Sequence, residues 1–371
     1  MALLTAAYRL IFTDLVTDQL LDVLPATQLE FDDWIGKTGQ LSAQIALPDP
    51  QTAARARSAT IPARTAVWVE RDREIWWGGI IWQRTPTAAS RNEPMTLALQ
   101  AATFDSYLAR RELDSPLPAF AQADQLTIAQ ALLDRAQEGP GADIGLAAVG
   151  DATSGVLRHR TYEWHDLPRY LDLLDQLSRV ENGFEWRARG RRDESGRRVR
   201  ELFLGYPRIR SAYTEIVLDH PGPVLQYKLP EDATGKATHW TSRGATPTPK
   251  GDETTYPLIS QPPPLLTAIE DGWPRLDGSS DHPTVEHTAT LDEHARHDLA
   301  DAWNTDPIPE VTVQLDTTPI TPAMLGATVR LRIHDAWHPD GASLHYRLVG
   351  MAVTPPDRAT PESARLYLNA V

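Results

Sequence analysis

Residues 67–85, VWVERDREIWWGGIIWQRT, constrain the fold of this chain more than any other stretch, because they read as a β-hairpin whose second strand is apolar on both faces. Strand alternation sends Ile75, Trp77 and Ile81 to one side and Trp76, Ile80 and Trp82 to the other, with Gly78 and Gly79 between them. One face fills the core of its own sheet. The other needs a second cover, either another layer of the same chain or a neighbouring subunit. Four of the eleven tryptophans, Trp68, Trp76, Trp77 and Trp82, lie in this hairpin, while its Arg71-Asp72-Arg73 turn is solvated. Trp68, Trp76, Trp77, Ile80 and Trp82 are therefore the candidate assembly residues, and the chain reads as one that assembles.

A chain of 371 residues exceeds the size at which single cores stop growing, so two or three domains are expected. The first 110 residues carry a barrel or sandwich pattern. Strands are predicted at 8–12, 28–34, 41–47, 66–70, 74–83 and 95–100, separated by Pro, Gly and Asp, with one short helix at 51–59. Residues 111–212 read as α+β. A helix at 125–137 is capped by Asp124, a second at 167–180 is capped by Asp166 with Tyr170, Leu171, Leu174 and Leu177 inward, and two strands at 183–189 and 199–204 follow. Residues 213–371 return to strands, at 224–229, 237–242, 311–315, 328–334, 344–353 and 364–368. They surround a helix at 291–303 with a Thr290/Glu293 capping box and Leu291, Ala295, Leu299 and Ala302 inward. Within this block residues 244–290 hold eight prolines and read as an extended arm held by a neighbour.

Composition narrows the function classes. The chain has no cysteine, which removes disulfides and thiolate metal sites and suits a reducing compartment. No secretory signal is visible, since Arg9, Asp14 and Asp18 interrupt the apolar start, and no run approaches the roughly 20 apolar residues of a membrane helix. A net charge of −14 argues against gripping nucleic acid. It is compatible with letting nucleic acid pass, because an acidic wall repels phosphates. The bias to 32 arginines over four lysines points to a high-GC genome.

No catalytic constellation emerges, and no cofactor or metal is implied. His294, His297, Asp298 and Asp301 share one helical face, with His282 and His287 upstream, but the spacing is not HExxH and a solvated face with i, i+4 pairs explains it better. Seven arginines crowd the hairpin at 187–200 without interleaved aromatics in its turn. That reads as a solvated tip or as an ion-pairing contact with an acidic neighbour. The glycines at 139–145 follow a helix and lack a Lys-Ser/Thr end, the serine at 154 is not in a nucleophile elbow, and the pair Glu181/Glu185 has no readable separation.

Several segments together resemble the tail-hub or minor tail proteins of long-tailed bacteriophages, particularly those of actinobacteria, in a baseplate-hub-like family. They are VWVERDREIWWGGIIWQR, ATFDSYLARREL (102–113), LFLGYPRIR (202–210), residues 218–244, TLDEHARHDLADAW, and residues 325–356. The resemblance implies a mainly β fold with an α+β insert, in which two tail-tube-like β-barrel modules (1–110 and 213–371) flank the insert. It implies a structural, non-enzymatic virion protein, made in the bacterial host cytoplasm. Three copies would form a ring that joins the tail tube to the tip and lines the DNA channel. The partners implied are a distal tail or tail-tube protein, the tape measure protein, and receptor-binding or tail-tip proteins. DNA passes without specific binding, and the chain inserts in no membrane. Competing expectations are a tail-tip hydrolase of peptidoglycan or polysaccharide, and the hub of a phage-derived injection particle.

Overall fold

The computed structural model describes residues 7–88, 95–213, 215–247, 255–262, 264–283, 285, 287–304, 308–357 and 360–370. The first stretch contains β1 (Tyr8–Asp14), β2 (Leu20–Leu24), β3 (Thr27–Trp34), β4 (Gln40–Leu47), α1 (Pro50–Ala59), β5 (Thr65–Arg71), β6 (Glu74–Thr87) and β7 (Met95–Thr103). Helix α1 starts where Asp49 accepts from the Thr52 N–H at 2.7 Å, with Pro50 in the first turn. The middle contains β8 (Phe120–Asp124), α2 (Gln125–Ala136), β9 (Leu146–Gly150), β10 (Leu157–Arg160), α3 (Tyr170–Ser178), β11 (Glu185–Arg192) and β12 (Arg198–Gly205). The last stretch contains β13 (Ile216–His220), β14 (Val224–Lys228), β15 (His239–Arg243), α4 (Leu266–Glu270), β16 (Asp277–Asp281), α5 (Thr288–Asn304), β17 (Glu310–Gln314), β18 (Thr328–Ile333), β19 (Ala342–Thr354) and β20 (Ser363–Ala370).

The fold is mainly β with an α+β insert. Strands of both outer stretches share one sheet, in the order β14-β17-β20-β19-β3-β4-β7-β6-β5-β1-β2, with β18 paired to β19 and β13 to β18. The join is the antiparallel β19–β3 ladder, from Gly350 opposite Trp34 to Val353 opposite Phe31. Among the described residues the main path of this sheet runs from β2 to β14, and a side branch through β18 ends at β13. Two compact units divide the chain: Met1–Tyr227 with Glu310–Val371, and Lys228–Pro309. The sequence blocks at 110 and 212 mark changes of element type, whereas the compact units part at the β14 and β17 ends.

Two helix starts differ from expectation. Helix α3 begins at Tyr170, because Leu167 adopts the left-handed conformation ahead of Pro168, and a residue before proline is disfavoured in the α region. Asp166 consequently ends a 3₁₀ turn, and Leu173 is buried where Leu171 was expected. Helix α5 begins at Thr288, so Thr290 lies inside its first turn. The proline-rich stretch also differs from an extended arm in its described part. It supplies α4 and β16, and β16 pairs in parallel with β15 inside the smaller unit. There Leu291, Ala295 and Leu299 of α5 are buried. Residues 248–254, 263, 284 and 286 of that stretch lie outside the described residues.

Candidate functional site

The tryptophan-rich strand β6 is bent twice. Its register against β5 skips Trp76 and its register against β7 skips Trp82, so each tryptophan is the extra residue of a β-bulge. Trp68, Trp77 and Ile80 are fully buried, Trp76 is nearly so and Trp82 is partly buried. The Trp68 Nε1–H donates to Thr13 Oγ1 at 3.1 Å, its ring meets Phe104 at 5.0 Å, and Trp77 donates to the Asp32 carbonyl at 2.9 Å. Trp82 donates to Ser106 Oγ at 2.9 Å, while Arg71 lies 4.6 Å over Trp76.

The second face of this hairpin is covered by its own chain. Trp68 and Ile80 belong to one core with Leu132 and Leu133 of α2, Leu174 and Leu177 of α3, and Trp186 and Leu202 of the β11–β12 hairpin. Burying each such leucine-sized group contributes roughly 1.5–3 kcal/mol. Trp68 and Ile80, with Trp82 packed against the same core, thus sit at an internal joint between sheet and insert, while Trp77 donates to the Asp32 carbonyl and Trp76 packs on Tyr8 and Arg71. Contacts within the chain therefore already cover the expected assembly residues Trp68, Trp76, Trp77, Ile80 and Trp82.

The arginines of the 187–200 hairpin are all paired with carboxylates of the same chain. Arg187 pairs with Asp33, Arg189 and Arg191 with Glu201, Arg192 with Glu70, Arg197 with Asp193, and Arg198 and Arg200 with Asp18. Burial works against ionised Glu201, yet Arg191 and Arg189 hold its carboxyl below the ordinary range. Burial pushes Arg200 down. The sequence reading of this hairpin is a solvated tip or an ion-pairing contact with an acidic neighbour; Arg197 at the tip is 81% exposed, and the carboxylates that meet the cations belong to the same chain.

The histidine helix does not gather a metal set among the described residues. His294 stacks on His282 at 4.4 Å, and Asp298 accepts from Ser280 at 2.5 Å and lies 3.2 Å from His282. His297 and Asp301 form a separate exposed pair at 3.5 Å. Glu185 is likewise committed, to Arg347 at 2.5 Å and to the Ile209 N–H at 2.8 Å.

What the sheet leaves exposed is a polar face. One cross-strand row runs Glu30, Ser42, Gln100, Gln83; a second runs Gln44, Ala98, Thr85; a third runs Thr312, Arg365, Ala352, Asp32. All are exposed or half-buried, whereas Phe31, Leu41, Leu99, Val353 and Leu366 behind them are buried. The bulge at Trp82 matters here. It shifts the strand's phase, so that Gln83, Thr85 and Thr87 join the polar face instead of following Ile81 inward. The face carries Glu30, Asp32 and Glu310 against Arg365. Burial raises Asp32, and Tyr367 holds Arg365 in its charged form. A hollow of about 370 Å³ lies between Glu30, Asp32, Gln40, Ser42 and Gln100. Alternation in 40–47 exposes part of this face in the sequence. The rest depends on a bulge and on the β19–β3 join, which no local pattern signals.

No protein-family model matches the chain, and no curated protein matches it in sequence. Solved structures share its fold. The 43 kDa tail protein of prophage MuSo2 from Shewanella oneidensis superposes with a TM-score of 0.63 at 11% identity, covering 98% of each chain. A tail protein from Neisseria meningitidis MC58 gives 0.55 at 13% identity over 98% of this chain and 96% of its own. Prophage tail protein gp18 from Listeria monocytogenes EGD-e gives 0.52 at 13% identity, over 96% and 94%. The chain therefore has a fold found in phage tail proteins, along almost its whole length.

Proposed function

We propose that this chain is a structural tail-hub protein of a bacteriophage or prophage-derived particle. Three copies form a ring at the distal end of the tail, and the polar sheet face lines the DNA passage. The observation that carries this reading is that face itself. Its rows of Gln, Ser, Thr and Ala, with Glu30, Asp32 and Glu310 outnumbering the single cation Arg365 and no large apolar side chain, give DNA little to hold, which suits a passive conduit. Two further features support a ring. The main path of the sheet terminates at β2 and β14, and Leu20, Leu21 and Leu225 are exposed there, which suits pairing with another copy. The three-block organisation read in the sequence, two β modules around an insert, would give three copies a pseudo-sixfold surface for the tail-tube protein, with the tape measure and tip proteins as its other neighbours.

The test is to replace Ser42, Gln83 and Gln100 together by arginine. Particles should still assemble, but DNA release should slow, and purified rings should retain DNA at low salt and lose it at high salt. Unchanged release, or a density map in which this face is buried against another protein, would overturn the conduit. A map with one or six copies in the ring would overturn the trimer.

A further inference from the structure

The hairpin between β18 and β19 carries the most exposed tryptophan among the described residues, Trp337, at 79%. Its loop is built, not loose. The Asp335 carboxylate accepts from the Trp337 and His338 N–H groups at 2.9 Å each, Tyr227 donates its hydroxyl to the same carboxylate, and the Gly341 N–H closes the turn on the His338 carbonyl at 3.0 Å. An indole held outward in this way has already lost much of the freedom that binding removes, and tryptophan is enriched among the residues that anchor protein interfaces.

The same compact unit carries a matching socket. Between α1 and the sheet lies an apolar cavity of about 380 Å³, lined by Leu47, Pro50, Ala53, Ala56, Met95 and Leu97, with Arg57 and Arg84 also lining it. Arg57 is exposed in the last turn of α1, and Arg84 donates to the Arg57 and Thr60 carbonyls; among the described residues neither forms an ion pair. The Trp337 loop is acidic, carrying Asp335 and Asp340. An apolar socket with cationic side chains fits an indole flanked by carboxylates in both shape and charge, and guanidinium groups also favour aromatic faces.

We propose that Trp337 of one copy docks into the α1 socket of the next. Resting on the ring reading above, this identifies one contact that builds the ring. The two surfaces differ, so the contact is head-to-tail, the type that builds a ring when its rotation closes.

The chain's lack of cysteine makes the test clean. A336C beside the indole and S58C on α1 are mixed and treated with a short bis-maleimide, and association of the parent chain is followed by sedimentation. The contact predicts a covalent dimer from the mixture and none from either variant alone. W337A should weaken association about tenfold or more. D340R should weaken it as well, and R57D added to the same chain should restore it, a rescue that a misfolded loop would not give. Trimers that form without the cross-link and are indifferent to W337A would overturn the contact and leave the ring standing. A chain that stays monomeric and uncross-linked at the highest attainable concentration would overturn both the contact and self-assembly of the ring.

Discussion

Arg187 and Asp33, 154 positions apart in the chain, meet in a buried two-pronged ion pair, Nη2 to Oδ2 at 2.6 Å and Nε to Oδ1 at 3.1 Å. Both side chains are 5% exposed. The pair fastens the insert's β11 to β3 in the middle of the sheet, beside the Gly36 N–H that donates to the Trp186 carbonyl at 2.7 Å. Both partners lie out of water, so their value depends on their staying together.

Removing only Arg187 leaves the Asp33 carboxylate buried and alone. R187M should therefore lower unfolding free energy by about 3 to 5 kcal/mol, while the double variant R187M/D33L should recover most of that loss. Denaturant unfolding of the three proteins measures the difference. A double variant as damaged as the single one would mean that the pair gives shape to the joint and not only charge balance.

Much of this joint was legible in the sequence, and the partner was not. The double-sided strand at 74–83 announced a need for cover, and alternation and capping placed β3 to β7 and α2 within a few residues. The intramolecular cover comes from α2, α3 and the β11–β12 hairpin, where Gly78 and Gly190 meet against Trp68, a meeting that depends on tertiary placement. The arginines at 187–200 were visible, but their carboxylates at Asp18, Asp33 and Glu70 are far away in sequence. Period-two reading also fails at a bulge, which is why Gln83 and Thr85 were not recognisable as surface partners of Gln100 and Ala98.

Gly78 and Gly190 approach Trp68 closely enough to be tested directly. A β-carbon on Gly190 would stand 2.7 Å from Trp68 Cζ3, and one on Gly78 would stand 2.8 Å from Cε3. G190A should destabilise by about 1 to 3 kcal/mol, and trimming the ring with W68L in the same chain should make the two losses less than additive. Additive losses, read by denaturant unfolding, would show that the contact is not where the strain arises.

Asp105 is fully buried, and burial raises its carboxyl above the usual range despite the donated hydroxyl of Thr38. A raised folded-state value means that folding takes up a proton. This contribution to stability is present below the unfolded value, about 3.9, and is lost as pH rises through the folded one. D105N mimics the protonated form. It should be more stable than the parent at pH 7, and the gap should close as the pH falls below the carboxylate range. A D105N chain less stable than the parent at both pH 7 and pH 4 would show that the ionised form is the one the site holds.

The smaller unit, Lys228–Pro309, leaves and rejoins the main one at strands β14 and β17, which are neighbours in the sheet. The Gln314 N–H reaches the Pro223 carbonyl at 3.3 Å, so the ladder between these strands is fastened at the end away from the excursion. Backbone entering and leaving at adjacent strands is the arrangement in which an excursion can be exchanged for a tight turn. Replacing Lys228–Pro309 by Asn-Gly should leave the main unit folded, with an unfolding midpoint close to that of its transition in the parent chain and with strand-type circular dichroism. The proline-rich segment would then be dispensable for folding of the main unit. If the shortened chain instead loses its cooperative transition, the smaller unit is part of what holds β14 on the sheet, and the open edge proposed for subunit pairing exists only in its presence.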